Sequence, residues 1–232
     1  MQFSLFQLLG LVLVSLTVVE ALNFDWDCTR SLGTCNNACF AVNCKRKPSK
    51  LTYDANKSAR GPRRTRSGCN RTPCSNTKYK ASGNSCDEFP FASVKEGGSG
   101  AILRCVKSSE NSSEGGQLSA FYKKLKNGEK FGIFVRNFKG AKYCENARLC
   151  RNDGFEFKAQ RRGFINARAE DDGFSAADTN DNFEGVPFRK FMGNDGVERL
   201  FLSNVNDPKS TIVGETITDG EGKEVKITSE VF

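Results

Sequence analysis

The stretch SCDEFPFASVKEGGSGAILRCV, residues 85–106, contains the features from which the fold is inferred. Its second half, GAILRCV at 100–106, is apolar and rich in branched side chains, which favours a β-strand. Its first half carries two adjacent acids, Asp87 and Glu88, directly after a cysteine. The stretch therefore predicts a strand close in sequence to a pair of acids, and the first question is what those acids do.

A helix and a second strand are predicted downstream of this stretch. The segment EKFGIFVRNF, residues 129–138, alternates apolar side chains in the manner of a strand. Between the two strands, apolar residues recur at the spacing of one helix face, at Leu118, Phe121, Tyr122 and Leu125. Gly115-Gly116 is predicted to precede this helix and Asn127-Gly128 to follow it. The expected order is strand, loop, helix, strand.

The C-terminal segment, residues 139–232, differs in charge from the rest of the chain. Acids outnumber bases in its sequence from 151 onward, whereas residues 22–150 are strongly basic. The segments RLFLSNV at 199–205 and EVKITSEVF at 224–232 favour strands, with a turn-rich connection between them. We therefore expect an acidic extension in which β-structure is the favoured option.

The first 21 residues predict a secretory signal peptide. An apolar run from Leu8 to Val19 is followed by a site that favours cleavage after Ala21. The run is too short to span a membrane comfortably, and no later segment is apolar enough to do so. We therefore expect a secreted, extracellular protein that has no membrane association once the signal is removed.

The ten cysteines and the absence of histidine limit the chemistry. Secretion favours disulfides over zinc sites, because an oxidising compartment preserves disulfides and no histidine is present to complete a mixed zinc site. The disulfide candidates are Cys28, Cys35, Cys39, Cys44, Cys69, Cys74, Cys86, Cys105, Cys144 and Cys150. Their connectivity does not follow from the sequence. Histidine-dependent nucleophiles and histidine acid–base ribonucleases are excluded, so catalysis requires carboxylates, metals, Lys, Arg or Tyr.

Residues 45–80 form a basic segment in which Asp54 is the one acid. Gly61-Pro62 near its centre predicts an exposed loop. Arg63, Arg64 and Arg66 are candidates for guiding a polyanion toward a site, and the net charge of +8 favours polyanionic partners. Two alternatives stay open: a secretory protease cleaves the segment at a dibasic pair, or the segment is a solvated, unprocessed linker.

Five polar residues in the middle of the chain supply the groups that phosphodiester hydrolysis requires: Asp87, Glu88, Glu96, Arg104 and Asn111. A carboxylate accepts a proton from water, and an arginine stabilises the phosphate. A divalent ion held by oxygen ligands stabilises the leaving oxygen. Such hard ligands favour Mg²⁺, Mn²⁺ or Ca²⁺. The same mixture of residues is also common on protein surfaces without any chemical role.

Three parts of the sequence, SCDEFPFAS, EGGSGAILRCV and ENSSEGGQLSAFY, closely resemble the secreted deoxyribonucleases of the NucA/NucB family. The resemblance covers about residues 81–138. Residues 27–80 are similar to the Cys-rich leader region of its fungal members, whereas residues 139–232 show no such similarity. The resemblance implies a disulfide-rich α+β fold with a small ββα-metal nuclease core, in which antiparallel strands are combined with one helix.

The resemblance also implies roles for individual residues. The implied catalytic residues are Asp87, as a general base in place of histidine, together with Glu88 and Arg104. The implied metal ligands are Asn111 and Glu96. Gln117 is a weaker candidate for substrate binding. Glu88 would support the metal shell through water or orient Asp87, and Glu96 has the alternative role of shaping the Gly-Gly loop. A Cys86–Cys105 disulfide would join the two arms of the motif.

Asn111 has a second possible role, because it begins the glycosylation sequon NSS. A glycan on this side chain would prevent metal ligation, so the two roles exclude each other. Asn56 and Asn70, which lie in the basic segment, are better candidates for glycosylation.

The sequence as a whole predicts four segments and one leading function. The segments are a signal peptide at 1–21, a Cys-rich basic region at 22–80, a nuclease core at 81–138 and an acidic extension at 139–232. The leading function is a divalent-metal-dependent endonuclease that cleaves DNA, or alternatively RNA, with little sequence preference. Two other functions stay open: a catalytically silent binder of extracellular nucleic acid or anionic cell-wall polymer, and a toxin-like effector whose extension binds a protein partner. The sequence does not indicate the oligomeric state.

Overall fold

The computed structural model describes residues 22–76, 79–146, 148–160, 163–166, 188–203 and 212–232. The predicted signal peptide at 1–21 lies outside the described residues. The helices are α1 (Leu32–Lys45), α2 (Arg60–Ser67), α3 (Ser108–Phe121) and α4 (Lys142–Glu145). The strands are β1 (Asn23–Asp27), β2 (Leu51–Thr52), β3 (Ser85–Phe89), β4 (Ile102–Val106), β5 (Lys130–Phe131), β6 (Ile133–Arg136), β7 (Glu156–Gln160), β8 (Gly163–Asn166), β9 (Arg189–Gly193), β10 (Glu198–Leu202), β11 (Thr216–Asp219) and β12 (Glu224–Val231).

The described strands form three sheets. The order β1-β11-β12-β9-β10-β6 closes a barrel, in which β1 runs parallel to both β6 and β11. The order β3-β4-β7-β8 forms an antiparallel sheet, and β2 pairs with β5. The mixed, disulfide-rich α+β class is therefore confirmed. A closed six-stranded barrel is not a ββα-metal core, and the predicted fold did not include it.

Strands from all three predicted segments of the mature chain contribute to the barrel. β1 comes from residues 22–80, β6 from residues 81–138, and β9 to β12 from residues 139–232. The predicted extension is rich in strands where it is described, and β7 of the same extension pairs with β4. The extension is therefore structurally integrated with the nuclease-like segment.

The strands β3 and β4 pair in register and lead directly into α3. This helix begins at Ser108, seven residues before the predicted start at Gly115-Gly116. The Glu110 side chain fixes the helix start, since its two oxygens accept from the backbone N–H groups of Lys107, at 3.1 Å, and Gly33, at 2.8 Å. Both glycines lie on the exposed side of the helix, where they are tolerated.

Five disulfides connect all ten cysteines: Cys28–Cys35, Cys39–Cys144, Cys44–Cys150, Cys69–Cys86 and Cys74–Cys105. The expected Cys86–Cys105 bridge is therefore wrong. These two cysteines lie directly opposite each other on β3 and β4. Directly opposed residues place their Cβ atoms about 4.5–5.5 Å apart, beyond the mean Cβ–Cβ separation of about 3.8 Å in disulfides.

The two disulfides of Cys69 and Cys74 attach the basic segment 45–80 to the β3–β4 pair. The segment contains α2 and several short 3₁₀ turns, and Gly61-Pro62 lies in the first turn of α2. The exposure predicted around Gly61-Pro62 is confirmed, whereas the prediction of a loop was wrong, because these residues are helical. Pro62 fits a first helical turn because no intrahelical partner exists there for the missing N–H.

The main core is aromatic and surrounds α1, whose residues from Thr34 to Val42 are all buried. Phe24 and Trp26 of β1 pack in it with Phe121 at the end of α3. This packing joins the barrel, α1 and α3 into one unit. Among the described residues, none of the helices combines the length and apolar character needed to cross a membrane.

Candidate active site

A cleft of about 690 Å³ lies between the basic segment and α3. One wall is lined by Tyr53, Lys57, Arg60 and Arg64, and the opposite wall by residues of α3 and the turn that follows it. Asp87 and Glu88 of β3 lie between the two walls. The cleft therefore places a basic surface opposite a group of acids.

Asp87 is buried at the base of this cleft, with 3% of its surface exposed. Asn37 on α1 donates from Nδ2 to its Oδ2 at 2.8 Å, and the Glu114 carboxyl on α3 lies within hydrogen-bonding reach. Burial raises the pKa of Asp87 to about 7, against the effect of these hydrogen bonds. Burial and then the charge of Asp87 also raise the pKa of Glu114. Burial and the proximity of the two carboxyls therefore disfavour a state in which both are charged at once.

Glu88 is buried beside Asp87 but has different partners. Its carboxylate accepts hydrogen bonds from the Ser67 hydroxyl and from Arg64 Nε, the second at 3.3 Å. Burial raises the pKa of Glu88, and these two donors lower it. About half of the Arg64 side chain is exposed, at 49%. Glu88 therefore holds Arg64 at the cleft wall while part of the guanidinium stays accessible.

Asn111 lies in the first turns of α3, on the wall of the cleft. Its Nδ2 donates to Ser85 Oγ and to the carbonyl oxygen of Cys86, both at 2.9 Å. These bonds leave Oδ1 as the atom that can accept a ligand. A glycan on Nδ2 would remove at least one of the two bonds. Asn56 and Asn70 are exposed instead, which favours them as glycosylation sites.

The chemistry of the donors fits a divalent ion such as Mg²⁺ or Mn²⁺. Glu114 Oε1 is buried and has no hydrogen-bond partner in the described parts of the chain, and Asn111 offers Oδ1 on the same helix. Within those parts, no three Asp, Glu, Cys or His side chains form a preformed metal cluster. Mg²⁺ usually keeps several waters and needs only one or two protein oxygens, so a sparse set of ligands is sufficient.

Two predicted site residues lie outside the cleft. Both Glu96 oxygens accept hydrogen bonds from Thr52, one from the backbone N–H at 2.8 Å and one from the hydroxyl at 2.7 Å. Arg104 opposes Asp87 in the β-ladder, but its guanidinium pairs with the buried carboxylate of Glu156 on β7. The structure therefore brings neither Glu96 nor Arg104 to the acids of the cleft, because each is held by a structural partner.

Three further predicted substrate contacts are also engaged elsewhere or face away from the cleft. Gln117 pairs with the backbone of Asp27 through two hydrogen bonds, from Asp27 N–H to its Oε1 at 2.9 Å and from its Nε2 to the Asp27 carbonyl at 3.0 Å. Arg63 is buried and binds Asp54 at 2.5 Å. Arg66 is exposed on α2 but does not line the cleft.

Asn37 and Glu114 both lie within reach of Asp87, and neither was among the predicted site residues. Glu114 follows Asn111 by three residues and precedes Leu118 by four. This spacing puts the three side chains on one helix face, so a helix predicted from Ser108 would have revealed Glu114. No local pattern marks Asn37, whose contact with Asp87 depends on the packing of α1 against β3.

The comparisons with known proteins concern the part of the chain that contains this cleft. Residues 38–134 match the family model described as deoxyribonuclease NucA/NucB, which is somewhat less than half of the 232 residues. No curated protein matches the chain. The matched segment includes Asp87, Glu88, Asn111 and Glu114. Residues 38–134 are therefore similar to the NucA/NucB deoxyribonucleases, which supports a nuclease-type function with DNA as the substrate.

Proposed function

We propose that this chain is a secreted, metal-dependent endonuclease that hydrolyses DNA phosphodiester bonds with little sequence preference. One observation carries the proposal: the buried Asp87–Glu114 pair lies in a cleft with a basic wall, inside the segment that matches a deoxyribonuclease family. Ion-pair networks usually explain buried acids in structural roles. In the described residues, neither Asp87 nor Glu114 forms an ion pair with Lys or Arg, which favours a chemical role.

Asp87 is the general base of the proposed reaction. Its carboxylate accepts a proton from the attacking water, and a pKa near neutral pH suits this task. The Asn37 amide holds one carboxylate oxygen, which fixes the orientation of the base. Because the sequence has no histidine, a carboxylate with a raised pKa is the available group that titrates near neutral pH.

Asn111 and Glu114 would hold the divalent ion, Mg²⁺ or Mn²⁺, with Ca²⁺ compatible with the same oxygen donors. When bound, the ion supplies charge stabilisation for the leaving oxygen. The two side chains lie three residues apart on one helix, so α3 presents both from a rigid element. The hydrogen bonds of Asn111 to Ser85 and Cys86 tie this part of α3 to β3, next to Asp87.

The phosphates of the substrate would bind to the basic wall. Arg64, oriented by Glu88, takes the role that the sequence analysis gave to Arg104. Arg60 lines the same wall, and its buried Nε has no hydrogen-bond partner within the described ranges. Lys57 and Lys123 add positive charge to the cleft. Phosphate contacts carry no base information, so the proposal predicts weak sequence preference and strong inhibition by salt.

Secretion is part of the proposal for a separate reason. Five disulfides in a chain of this size fit an oxidising, extracellular environment. Two of them, Cys69–Cys86 and Cys74–Cys105, fix the basic segment against the strands that carry Asp87 and Arg104. The geometry of the cleft therefore depends on disulfides that a reducing compartment would not maintain.

The test is cleavage of supercoiled plasmid by the purified, oxidised protein. We expect nicking and then linearisation with Mg²⁺ or Mn²⁺, no cleavage with EDTA, and no detectable cleavage by Asp87→Asn. The matched control is Glu145→Gln, which changes an exposed acid on α4 outside the cleft and should retain full activity. A parallel digestion of single-stranded DNA and single-stranded RNA oligonucleotides of the same length and base sequence decides between DNA and RNA as the preferred substrate.

Two outcomes would contradict the proposal. Cleavage that persists in EDTA would exclude the metal, and an Asp87→Asn variant with wild-type activity would exclude Asp87 as the base. Salt-sensitive DNA binding without turnover in any divalent metal would identify the protein as a binder of nucleic acid instead.

A further inference from the structure

The cleft of the proposed nuclease has an aromatic part in addition to its acids and bases. Tyr53 lines it together with Phe91, Leu118 and Tyr122. The last three side chains are buried, whereas Tyr53 is partly exposed. The rings of Tyr53 and Tyr122 stack with their centroids 4.4 Å apart and an angle of 20° between their planes. Tyr122 therefore supports Tyr53 from the protein interior.

Both tyrosines are held in place by their surroundings. The Tyr53 backbone bonds to the turn before β5 through its N–H to Glu129 O and its carbonyl to Gly128 N–H, both at 2.9 Å. The Tyr122 hydroxyl lies 2.8 Å from Ser93 Oγ, and burial raises its pKa, so the ring stays neutral. A ring fixed in this way loses little conformational entropy when it stacks on a ligand.

Lys57 and Arg60 lie on the same wall of the cleft as Tyr53. An aromatic platform beside cations is the combination that proteins use for single-stranded nucleic acid, since cations bind the phosphates and the ring stacks on a base. A base inside a duplex has both of its faces covered by neighbours, so only an unpaired or extruded base can stack on a protein ring. Such an arrangement would discriminate between unpaired and paired strands without reading sequence.

We propose that Tyr53, supported by Tyr122, is a stacking site for one unpaired nucleobase next to the phosphate that the protein cleaves. The substrate class that follows is single-stranded or locally unpaired DNA, with duplex DNA as the poorer substrate. This inference rests on the proposed nuclease function for its biological meaning. The binding site itself can be tested without turnover.

The test measures binding by fluorescence anisotropy in EDTA, with two probes of equal length and charge: a labelled thymidine oligonucleotide and its counterpart with abasic positions. For the wild-type protein we expect the strand with bases to bind about tenfold more tightly, the magnitude of one base–aromatic stack. Tyr53→Leu keeps an apolar side chain against Tyr122 and should remove this difference while leaving affinity for the abasic strand unchanged. Tyr53→Phe keeps the ring and should retain the difference.

Equal affinities of the wild-type protein for the two strands would overturn the stacking site. A Tyr53→Leu variant that weakens both strands equally, with an unchanged melting temperature, would also overturn it. The two proposals fail in different ways. Base-dependent binding without cleavage in any metal would contradict the nuclease function and support the stacking site. Cleavage without base-dependent binding would support the nuclease function and contradict the stacking site.

Discussion

The molecule buries two groups of acids, one in the cleft and one in the barrel, and their surroundings differ. In the barrel, Arg199 contacts the buried Asp25 at 3.0 Å and the exposed Asp195 of the β9–β10 turn at 2.7 Å, and Arg136 contacts Asp25 at 3.3 Å. In the cleft, Arg64 contacts Glu88, but no Lys or Arg of the described residues forms an ion pair with Asp87 or Glu114.

Burial and cationic partners together set the pKa of the individual acids. Burial raises the pKa of Asp25 although Arg199 and Arg136 act to lower it, whereas hydrogen bonding to Arg199 lowers the pKa of the exposed Asp195 to about 2. Burial raises the pKa of Asp87 to about 7. Asp25 in the barrel has two arginine partners, whereas Asp87 and Glu114 form no ion pair with Lys or Arg of the described residues, and this difference favours a chemical role for the cleft pair. Each prediction below tests this distinction.

The largest expected effect is on catalysis, from Asp87→Asn. Asparagine occupies nearly the same volume, and it removes an acid whose charged form is disfavoured by burial. We expect kcat to fall by about a thousandfold, the usual contribution of a general base, while the melting temperature stays the same or rises. Oligonucleotide cleavage and thermal unfolding measure the two effects on the same sample. A parallel loss of activity and melting temperature would place Asp87 with the structural acids of the barrel.

The opposite pattern is expected for Arg199→Met in the barrel. Removal of this arginine leaves Asp25 and Asp195 without their main cation, and breaking a buried ion pair in this way costs about 3–5 kcal/mol of unfolding free energy. Urea unfolding measures this loss, and activity per folded molecule should not change. Arg189→Met is the matched control, because its ion pair with Glu230 is partly exposed and should contribute about 1 kcal/mol or less. Similar losses of unfolding free energy for both variants would contradict the structural role assigned to Arg199.

A smaller effect, on Mn²⁺ affinity, is expected to distinguish Glu114 from Glu88 in the cleft. Glu114→Gln should weaken Mn²⁺ binding at least about tenfold, because it removes a charged oxygen donor. Glu88→Gln should leave Mn²⁺ binding nearly unchanged, since this carboxylate is occupied by Ser67 and Arg64. Isothermal titration with Mn²⁺ in the absence of DNA measures both affinities. Equal weakening by the two variants would mean that Glu88 also holds the ion.

The last prediction concerns the pH dependence of stability at Glu156, which is buried beside Arg104 and therefore combines features of both groups. Burial raises its pKa from 4.5 to about 8 despite the nearby arginine. Between these two pH values the folded protein binds more protons at this site than the unfolded chain. The stability contribution is therefore full below about pH 4.5 and is lost as the pH rises through about 8, by at most ~1.4 kcal/mol per pH unit.

Urea unfolding across this pH range tests the sign of the effect. The wild-type protein should lose stability with rising pH more steeply than Glu156→Gln, in which the titrating group is absent. The other acids titrate in both proteins, so the difference between the two slopes reports Glu156. Identical slopes would show that Glu156 stays charged in the folded protein.

The parts of the fold that depend on local signals were predictable from the sequence. The apolar, branched run at 100–106 contains β4, and the alternating segment at 129–138 contains β5 and β6. The start of α3 was not predicted, because a side-chain cap from Glu110 outweighs the preference of Gly115-Gly116 for a helix boundary. Glu114 was missed for the same reason, since it lies in the part of the helix that was assigned to a loop.

The features that depend on distant parts of the chain were not predictable. The barrel requires β1 to pair with β6 and β11, and no local pattern specifies such partners. The disulfide connectivity follows from the same long-range packing, which brings Cys69 and Cys74 to β3 and β4. Thr52 holds Glu96 outside the site, and Asp27 does the same for Gln117. Both partners are likewise far away in sequence.

The contacts of α3 with the barrel involve elements from both ends of the chain, which affects when they can form during synthesis. Gln117 bonds to Asp27 at the end of β1, and its side chain packs so closely on Gly220 that a Cβ there would lie 2.6 Å from its Cβ and Cγ. Lys124, just after α3, binds Glu224. The helix α3, which carries Asn111 and Glu114, therefore packs between β1 and the turn that joins β11 to β12. These contacts of α3 with the C-terminal strands form only after nearly the whole chain has been synthesised.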